Sequence, residues 1–385
     1  MKISALLRWA DSYPFFYFHI QNNSQDNLGH YRWIIGVGKK PYKNPIVDGN
    51  WYMGGFGYAW KAPSKKAFID FPRVALFSPQ WVIASEEIPS WLNDIPTRNP
   101  VRRMHFLQSS LDKIAYERAV NSIREDISLG RVYQVNLTLA LLWEGVIDPI
   151  ETYIRLLQAC PTTFNYIFKY QHKYVIGASP ERFFWQWRGL IAQQPIKGTT
   201  ARGTTWYEDV RQVESLRSNP KELAENTMIV DLVRNDLQRV CVPGSVMVPV
   251  WAEVQSFVGL HHLVSTIYGE KQRGVSWIEA FASMFPAGSM TGAPKRAAME
   301  YIHRYEPVGR GIYSGAVGYI TAEGEADFAV VIRSWVYDKK AEKIALQVGS
   351  GITYDSDPQL EWEESWLKAE KLLQVLHVSP HLLRS

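Results

Sequence analysis

Apolar residues recur along the chain with two different periods. From residue 1 to about 85 they come in short runs cut by glycine and proline: Phe15-Phe16-Tyr17-Phe18-His19-Ile20, Trp33-Ile34-Ile35-Gly36-Val37 and Gly54-Gly55-Phe56-Gly57-Tyr58-Ala59-Trp60. Aromatic-rich runs between turn formers predict strands. Residues 86–112, with Ile88-Pro89, Ile95-Pro96, Asn99-Pro100 and Arg102-Arg103, predict an irregular connector. There the period changes. Ile114, Ala115, Ala119, Ile123 and Ile127 share one helical face, which predicts a helix from Asp112 to Leu129 ended by Gly130.

Further on, strands are predicted at Tyr133–Trp143, Thr163–Tyr170, Tyr174–Gly177, Arg182–Trp187 and Leu190–Ile196. Helices fit Pro220–Arg234, Trp277–Ser283 and Pro294–Tyr305. Strands return at Gly315–Thr321, Ala326–Tyr337 and Lys343–Val348, before a last helix over Gln359–Leu376. Runs of strands followed by helices predict an α+β architecture with mostly antiparallel sheets.

Composition narrows this little. The 385 residues are 46% apolar and 21% charged, the makeup of a packed protein with a large core. Fifteen tryptophans imply a heavy aromatic packing load, part of it at an interface. A net charge of +4, spread thinly, argues against nucleic acid and suits a small anionic ligand. Cys160 and Cys241 are too few for a disulfide framework and lack metal-ligand spacing, so a reduced compartment is expected. The apolar run within residues 1–10 is too short for a signal peptide, and no stretch approaches the roughly 20 apolar residues of a membrane span. The expectation is a cytoplasmic protein without a membrane partner.

Candidate chemistry centres on Pro195-Ile196-Lys197-Gly198-Thr199. A lysine held inward on a stiff backbone is desolvated, which favours the free amine and makes it a nucleophile. Two acidic segments keep it company. Glu222 and Glu225 stand three apart at the start of one helix, and Glu361 and Glu364 repeat that spacing in another. Each pair shares a face, which reads either as a solvated acidic surface or, if the helices converge, as oxygen ligands for Mg²⁺.

The segment from Phe285 to Arg296 is glycine-rich but is not a nucleotide-phosphate loop. Proline precedes Lys295, and Arg296 stands where a magnesium-binding hydroxyl belongs. It reads either as a plain helix entry or as an anion site using backbone amides and Ser289. Arg333, inside the apolar run Val330-Val331-Ile332-Arg333-Ser334-Trp335, needs a carboxylate partner from the protein or from a ligand. Gly349 and Gly351 end the next strand and can offer amides to the same anion. His262 reads as a packed histidine or a ligand contact.

On these residues the chain resembles the chorismate-utilising enzymes: the anthranilate synthase large subunit, aminodeoxychorismate synthase component I, isochorismate synthase and salicylate synthase. The resemblance runs from about Asp112 to Leu376 and rests on Glu222–Asp236, on Gly288–Lys295 and on Glu361–Ser365. It implies a layered α+β body of two packed, mostly antiparallel sheets with helices outside. Residues 1–111 would be its divergent β-rich part and connector, 112–376 its chorismate-binding region, intertwined in one body, and 377–385 a tail.

Two positions discriminate among the members. Aminodeoxychorismate synthases carry a lysine where Lys197 stands, and anthranilate synthases usually carry alanine. Water-using members place a lysine base at the position of Gln134, and a glutamine cannot deprotonate water, so ammonia is the expected nucleophile. The resemblance thus implies aminodeoxychorismate synthase component I, a transferase of 4-aminobenzoate and folate biosynthesis. Anthranilate synthase component I, aminating at C2, is the alternative within the family; a non-catalytic metal- or anion-binding module is the alternative outside it.

Residue by residue, the resemblance implies Mg²⁺ on Glu225 and Glu364 with Glu222 and Glu361 in support, holding the ring carboxylate of chorismate. Arg333, Tyr313 and the amides at Gly349 and Gly351 would clamp the enolpyruvyl carboxylate, with His262 and Ser289 lining the ring. Glu181 would be the general acid and Lys197 the nucleophile. No glutaminase signature surrounds either cysteine, so a separate glutamine amidotransferase subunit is the expected ammonia donor. The LLES-type motif with which some relatives bind tryptophan is absent from Ala5-Leu6-Leu7-Arg8-Trp9.

Overall fold

The apolar runs build two large antiparallel sheets. The structure is a computed structural model describing residues 3–380 except 23–25, 27, 43–45, 88–96 and 258, together with Leu383. Ile88-Pro89 and Ile95-Pro96 of the expected connector lie outside the described residues.

The first part of the chain comprises α1 (Ile3–Asp11), β1 (Phe15–Ile20), β2 (Trp33–Gly38), β3 (Tyr52–Phe56), β4 (Val74–Phe77), β5 (Trp81–Ser85) and β6 (Val101–Ser109). The middle comprises α2 (Lys113–Ser128), β7 (Gln134–Ile147), α3 (Pro149–Ala159), β8 (Phe164–Tyr170), β9 (Lys173–Ser179), β10 (Arg182–Trp187), β11 (Leu190–Gln194) and β12 (Ile196–Ala201). Next come α4 (Trp206–Ser218), α5 (Pro220–Gln238), β13 (Met247–Phe257), β14 (Leu260–Glu270), α6 (Trp277–Met284), the short β15 (Gly292–Ala293) and α7 (Lys295–Tyr305). The chain closes with β16 (Ala316–Ile320), β17 (Ala326–Val330), β18 (Ser334–Asp338), β19 (Lys343–Ile352) and α8 (Pro358–Val375).

One sheet runs β15-β7-β19-β18-β9-β8-β1-β2-β5, with β6 also on β7; the other runs β12-β14-β11-β10-β17-β16-β3-β4, with β13 also on β14. Strands from before residue 86 enter both sheets. The ladders between these strands are antiparallel.

Strand β1 shows why its sequence is apolar throughout. Phe15 and Tyr17 point into a core shared with Met53, Phe77 and Val317 of the opposite sheet. Phe16, Phe18 and Ile20 point the other way, into a core with Leu6, Tyr153, Trp366 and Leu373 from α1, α3 and α8. With both faces covered, alternation gives way to a continuous run. The second sheet is covered on its far side by α5 and α6 through Ile229, Val233, Trp277 and Phe281. The layers are therefore helix, sheet, sheet, helix, as expected of an α+β body.

Three expectations need correction. Val101–Ser109 is an edge strand paired along β7, not an irregular connector. Its exposed Arg102, Arg103 and His105 hide the period, as is usual for a strand covered on one side only. The run Ala326–Tyr337 breaks after Val330, because the chain crosses there from the second sheet to the first. Leu190–Ile196 divides at Pro195, which has no N–H to donate to a ladder, and both pieces pair with β14.

Candidate active site

Lys197 lies on strand β12, not in a turn. Its pairing with β14 slips between Lys197 and Thr199, and Gly198 takes the left-handed φ of 67° that such a bulge requires. The bulge re-aims the lysine inward, where its side chain is 11% exposed and Nζ stands 3.7 Å from Glu225 Oε2. Gln134, at the start of β7, donates from Nε2 to the same oxygen at 3.2 Å, and its own buried Oε1 has no partner among the described residues. Gly351 of β19 completes the wall: a methyl there would stand 2.6 Å from Gln134 Nε2 and 3.4 Å from Lys197 Nζ. Four distant segments thus meet around one carboxylate.

The acidic helices do converge. α5 begins on an Asn219 cap with Pro220 in its first turn, and α8 on an Asp357 cap with Pro358, so both glutamate pairs sit near helix N-termini that favour negative charge. Burial first, then the charges of Glu225 and Glu364, push the Glu222 carboxyl up. Burial and then Glu364 push Glu361 up in the same way. Lysines answer this crowding. Lys221 stands 3.7 Å from Glu361, and Lys368 stands 2.7 Å from Glu364 and holds that carboxyl below its ordinary range.

The donor set is all oxygen, which fits a hard dication such as Mg²⁺. Among the described residues, however, no three His, Cys, Asp or Glu side chains are grouped closely enough to hold an ion as they stand.

Glu181 follows Pro180 at the entry to β10 and is 5% exposed. Ser289, in the short 3-10 turn Gly288–Met290, donates to its Oε1 at 2.5 Å. Burial pushes this carboxyl up to about 7, against the opposing pull of the Ser289 hydrogen bond, Lys197 and Arg333. It is a group able to give and take a proton near neutrality.

Arg333 stands in the crossing between β17 and β18, at a left-handed φ of 48°. An L-residue there is strained, and such strain concentrates at functional positions. Among the described residues no carboxylate lies within ion-pair distance of it. Its Nη2 instead approaches His262 Nε2 at 3.3 Å, while His262 Nδ1 lies 2.9 Å from Thr199 Oγ1 and 3.3 Å from the Gly198 carbonyl. Burial first and Arg333 second hold His262 well below the ordinary imidazole range. A neutral ring with its proton on Nδ1 donates to Gly198 and leaves Nε2 to accept from Arg333. His262 is thus both packed and adjacent to the site.

The remaining expected residues are more dispersed. Gly349 lies on β19 beyond Leu346, where β18 stops pairing, and its carbonyl accepts from Lys368 at 3.0 Å. Tyr313 packs in the core and lines a cavity between the sheets with Arg310, Val331 and Gln347. Lys295 is locked on Asp236 and on the Met284 carbonyl, which makes it a brace for α5, α6 and α7. Sequence reasoning missed Lys221, Lys368 and Thr199. The four-residue spacing from Glu364 to Lys368 is the signal that could have found one of them.

With this geometry established, comparison with known proteins gives its class. The chain matches the chorismate binding enzyme family over residues 39–374. It is 38% identical over 274 residues to anthranilate synthase component 1 of Lactococcus lactis subsp. lactis (strain IL1403), covering 71% of this chain and 59% of that protein. It is 41% identical over 262 residues to the aminodeoxychorismate synthase of Streptomyces pristinaespiralis, covering 68% of this chain and 36% of that protein. Among solved structures, anthranilate synthase component I from Streptococcus pneumoniae TIGR4 superposes with a TM-score of 0.73 at 25% identity, over 93% of this chain and 89% of that one. The chain belongs to the chorismate binding enzyme family. It spans between about a third and two thirds of the length of these curated relatives. Among the described residues no helix is long and apolar enough to cross a membrane.

Proposed function

We propose that the protein converts chorismate and ammonia to 4-amino-4-deoxychorismate, acting as aminodeoxychorismate synthase component I with a glutamine amidotransferase subunit as ammonia donor. The observation that carries this reading is the amine of Lys197, shielded from solvent, beside Glu225, Gln134 and Gly351. In this reading Lys197 Nζ forms a bond to C2 of the ring. The C4–O bond breaks as Glu181 delivers its proton, and the hydroxyl leaves as water. Ammonia then bonds at C4, the C2–Nζ bond breaks to restore the amine, and a proton returns to Glu181. Arg333 binds a substrate carboxylate, with His262 fixing its guanidinium. Glu225 and Glu364, supported by Glu222 and Glu361, would hold Mg²⁺, which supplies positive charge for the ring carboxylate.

Anthranilate synthase component I is the second reading, favoured by relatives such as the Lactococcus lactis protein. Incubation with chorismate, Mg²⁺ and ammonium, followed by mass spectrometry, separates the two. Aminodeoxychorismate is the expected product. Anthranilate fluorescence without an added lyase would sink the proposal in favour of the second reading. Chorismate left intact would point to a non-catalytic binding module.

A further inference from the structure

Arg310 is 3% exposed and was no part of the expected site, yet all five of its N–H donors are placed. Nε and Nη2 donate to the two oxygens of Glu306 at 2.9 and 2.6 Å. Nη2 also donates to the Asn136 carbonyl at 2.8 Å, while Nη1 donates to the Met290 carbonyl at 2.6 Å and to Ser314 Oγ at 3.1 Å. Glu306 is tied in turn, accepting from the Thr138 amide at 3.0 Å and its hydroxyl at 2.8 Å.

The acceptors are not scattered. Asn136 is two residues from Gln134 on β7, Met290 follows Ser289, and Ser314 follows Tyr313. One guanidinium therefore touches the backbones that carry the amide on Glu225 and the hydroxyl on Glu181. A buried ion pair is a poor way to gain stability, since well-packed apolar residues do as well or better. What the planar fork offers is fixed geometry in several directions at once.

We infer that the Arg310–Glu306 pair positions the site, holding the Ser289 hydroxyl on Glu181 and the Gln134 amide on Glu225 in one frame. This rests on the roles proposed above for Glu181 and Gln134. Arg310 and Glu306 act through the segments they tie.

The test is the titration of Glu181, read without substrate by carbon NMR on glutamate-labelled protein and assigned by the signal lost in Glu181→Gln. Arg310→Lys keeps charge and bulk but loses the fork. The Ser289 turn then loosens, and the hydrogen bond that favours the Glu181 carboxylate weakens, so the midpoint moves up by about half a pH unit or more. Turnover falls roughly tenfold, as a lost hydrogen bond predicts, with little change in KM for chorismate. Adding Ser289→Ala to Arg310→Lys produces no second full shift.

An unmoved Glu181 midpoint in the folded lysine variant overturns the inference. Should Arg310→Lys fail to fold, Thr138→Val, which keeps the ion pair and removes one hydroxyl, gives the same reading with a smaller expected shift. Because the midpoint is read without chorismate, failure of the proposed reaction leaves it interpretable. An active enzyme with an unmoved midpoint sinks only the positioning role.

Discussion

Two buried charge clusters in this molecule are built on opposite principles. Around Arg182, between the sheets, the guanidinium donates to both oxygens of Asp26 at 2.8 and 2.6 Å, to both oxygens of Asp327 at 2.8 and 3.1 Å, and to Gln194. All five donors are used, the three charged side chains are at most 1% exposed, and nearby His19, depressed to about 3 mainly by burial, stays neutral. The cluster built on Glu222, Glu225, Glu361 and Glu364 is unfinished by comparison. Its carboxylates push on one another, and its lysines reach it from the rim. In the first cluster every guanidinium donor meets a carboxylate or amide oxygen, and opposite charges are matched face to face. The second keeps its polar groups unsettled at a cost in stability, the usual mark of a site that finds its partner in substrate or ion.

Substitutions can break this contrast. The largest effect is expected from Lys197→Ala, which should lower chorismate turnover on the order of a thousandfold or more while the thermal midpoint hardly moves. Near wild-type turnover in a steady-state assay would remove the lysine from the mechanism. Arg182→Met should do the reverse. It leaves two carboxylates buried without a counter-charge and should cost about 3–5 kcal/mol in a denaturant titration, as for other broken buried pairs. A stable Arg182→Met protein would mean that the closed cluster is not structural.

Glu181 sharpens the contrast through pH. Its carboxyl is raised from 4.5 to about 7, so it stays protonated through the weakly acid range. In the general-acid role proposed for it Glu181 must be protonated, so turnover should fall as pH rises through about 7, and Glu181→Gln should lose that limb together with roughly 10²–10⁴ in rate. The stability consequence has the opposite sense. The penalty for burying the charged form is absent below the ordinary value of 4.5, grows with pH, and is complete above about 7. Glu181→Gln should therefore be more stable than the parent at pH 8 and no more stable at pH 4, as read from paired melting curves.

The closed cluster was invisible in the sequence and the open one was not, for physical reasons. Glu222 and Glu225, or Glu361 and Glu364, advertise themselves because helical spacing puts each pair on one face. Lys197 stood out from Pro195 and Gly198 beside it. Nothing local connects Asp26, Arg182 and Asp327, which only the two-sheet topology brings together. The same limit hid Arg310 and the crossing at Arg333, whose apolar neighbours imitate one unbroken strand. Helix α3 was missed although Asp148 caps it and Pro149 opens it, because eight of its eleven residues are buried and its period is blurred. Helix α4 escaped for the opposite reason: Leu216 is its one buried residue. Element order and the antiparallel α+β class were legible from local pattern and the layering from the family resemblance, whereas long-range ion pairs and sheet changes were not.

The smallest substitution makes the subtlest test. At Gly351 the backbone φ is ordinary, so Gly351→Ala adds a methyl without backbone strain, and β19 should pair with β7 as before. The methyl arrives 2.6 Å from Gln134 Nε2, closer than atoms can sit, while Lys197 Nζ at 3.4 Å is in ordinary contact. Gln134 is the group that must yield, since it is the end of a flexible side chain. Its yielding breaks the 3.2 Å hydrogen bond to Glu225 but leaves the fold alone. Loss of one such bond corresponds to about 1 kcal/mol, so turnover should fall roughly five- to tenfold with stability unchanged. An active, unaltered Gly351→Ala enzyme would show that the Gln134–Glu225 contact does not matter to the reaction. A strongly destabilised one would show that this corner is as tightly closed as the surroundings of Arg182, and the contrast between the clusters would fail there.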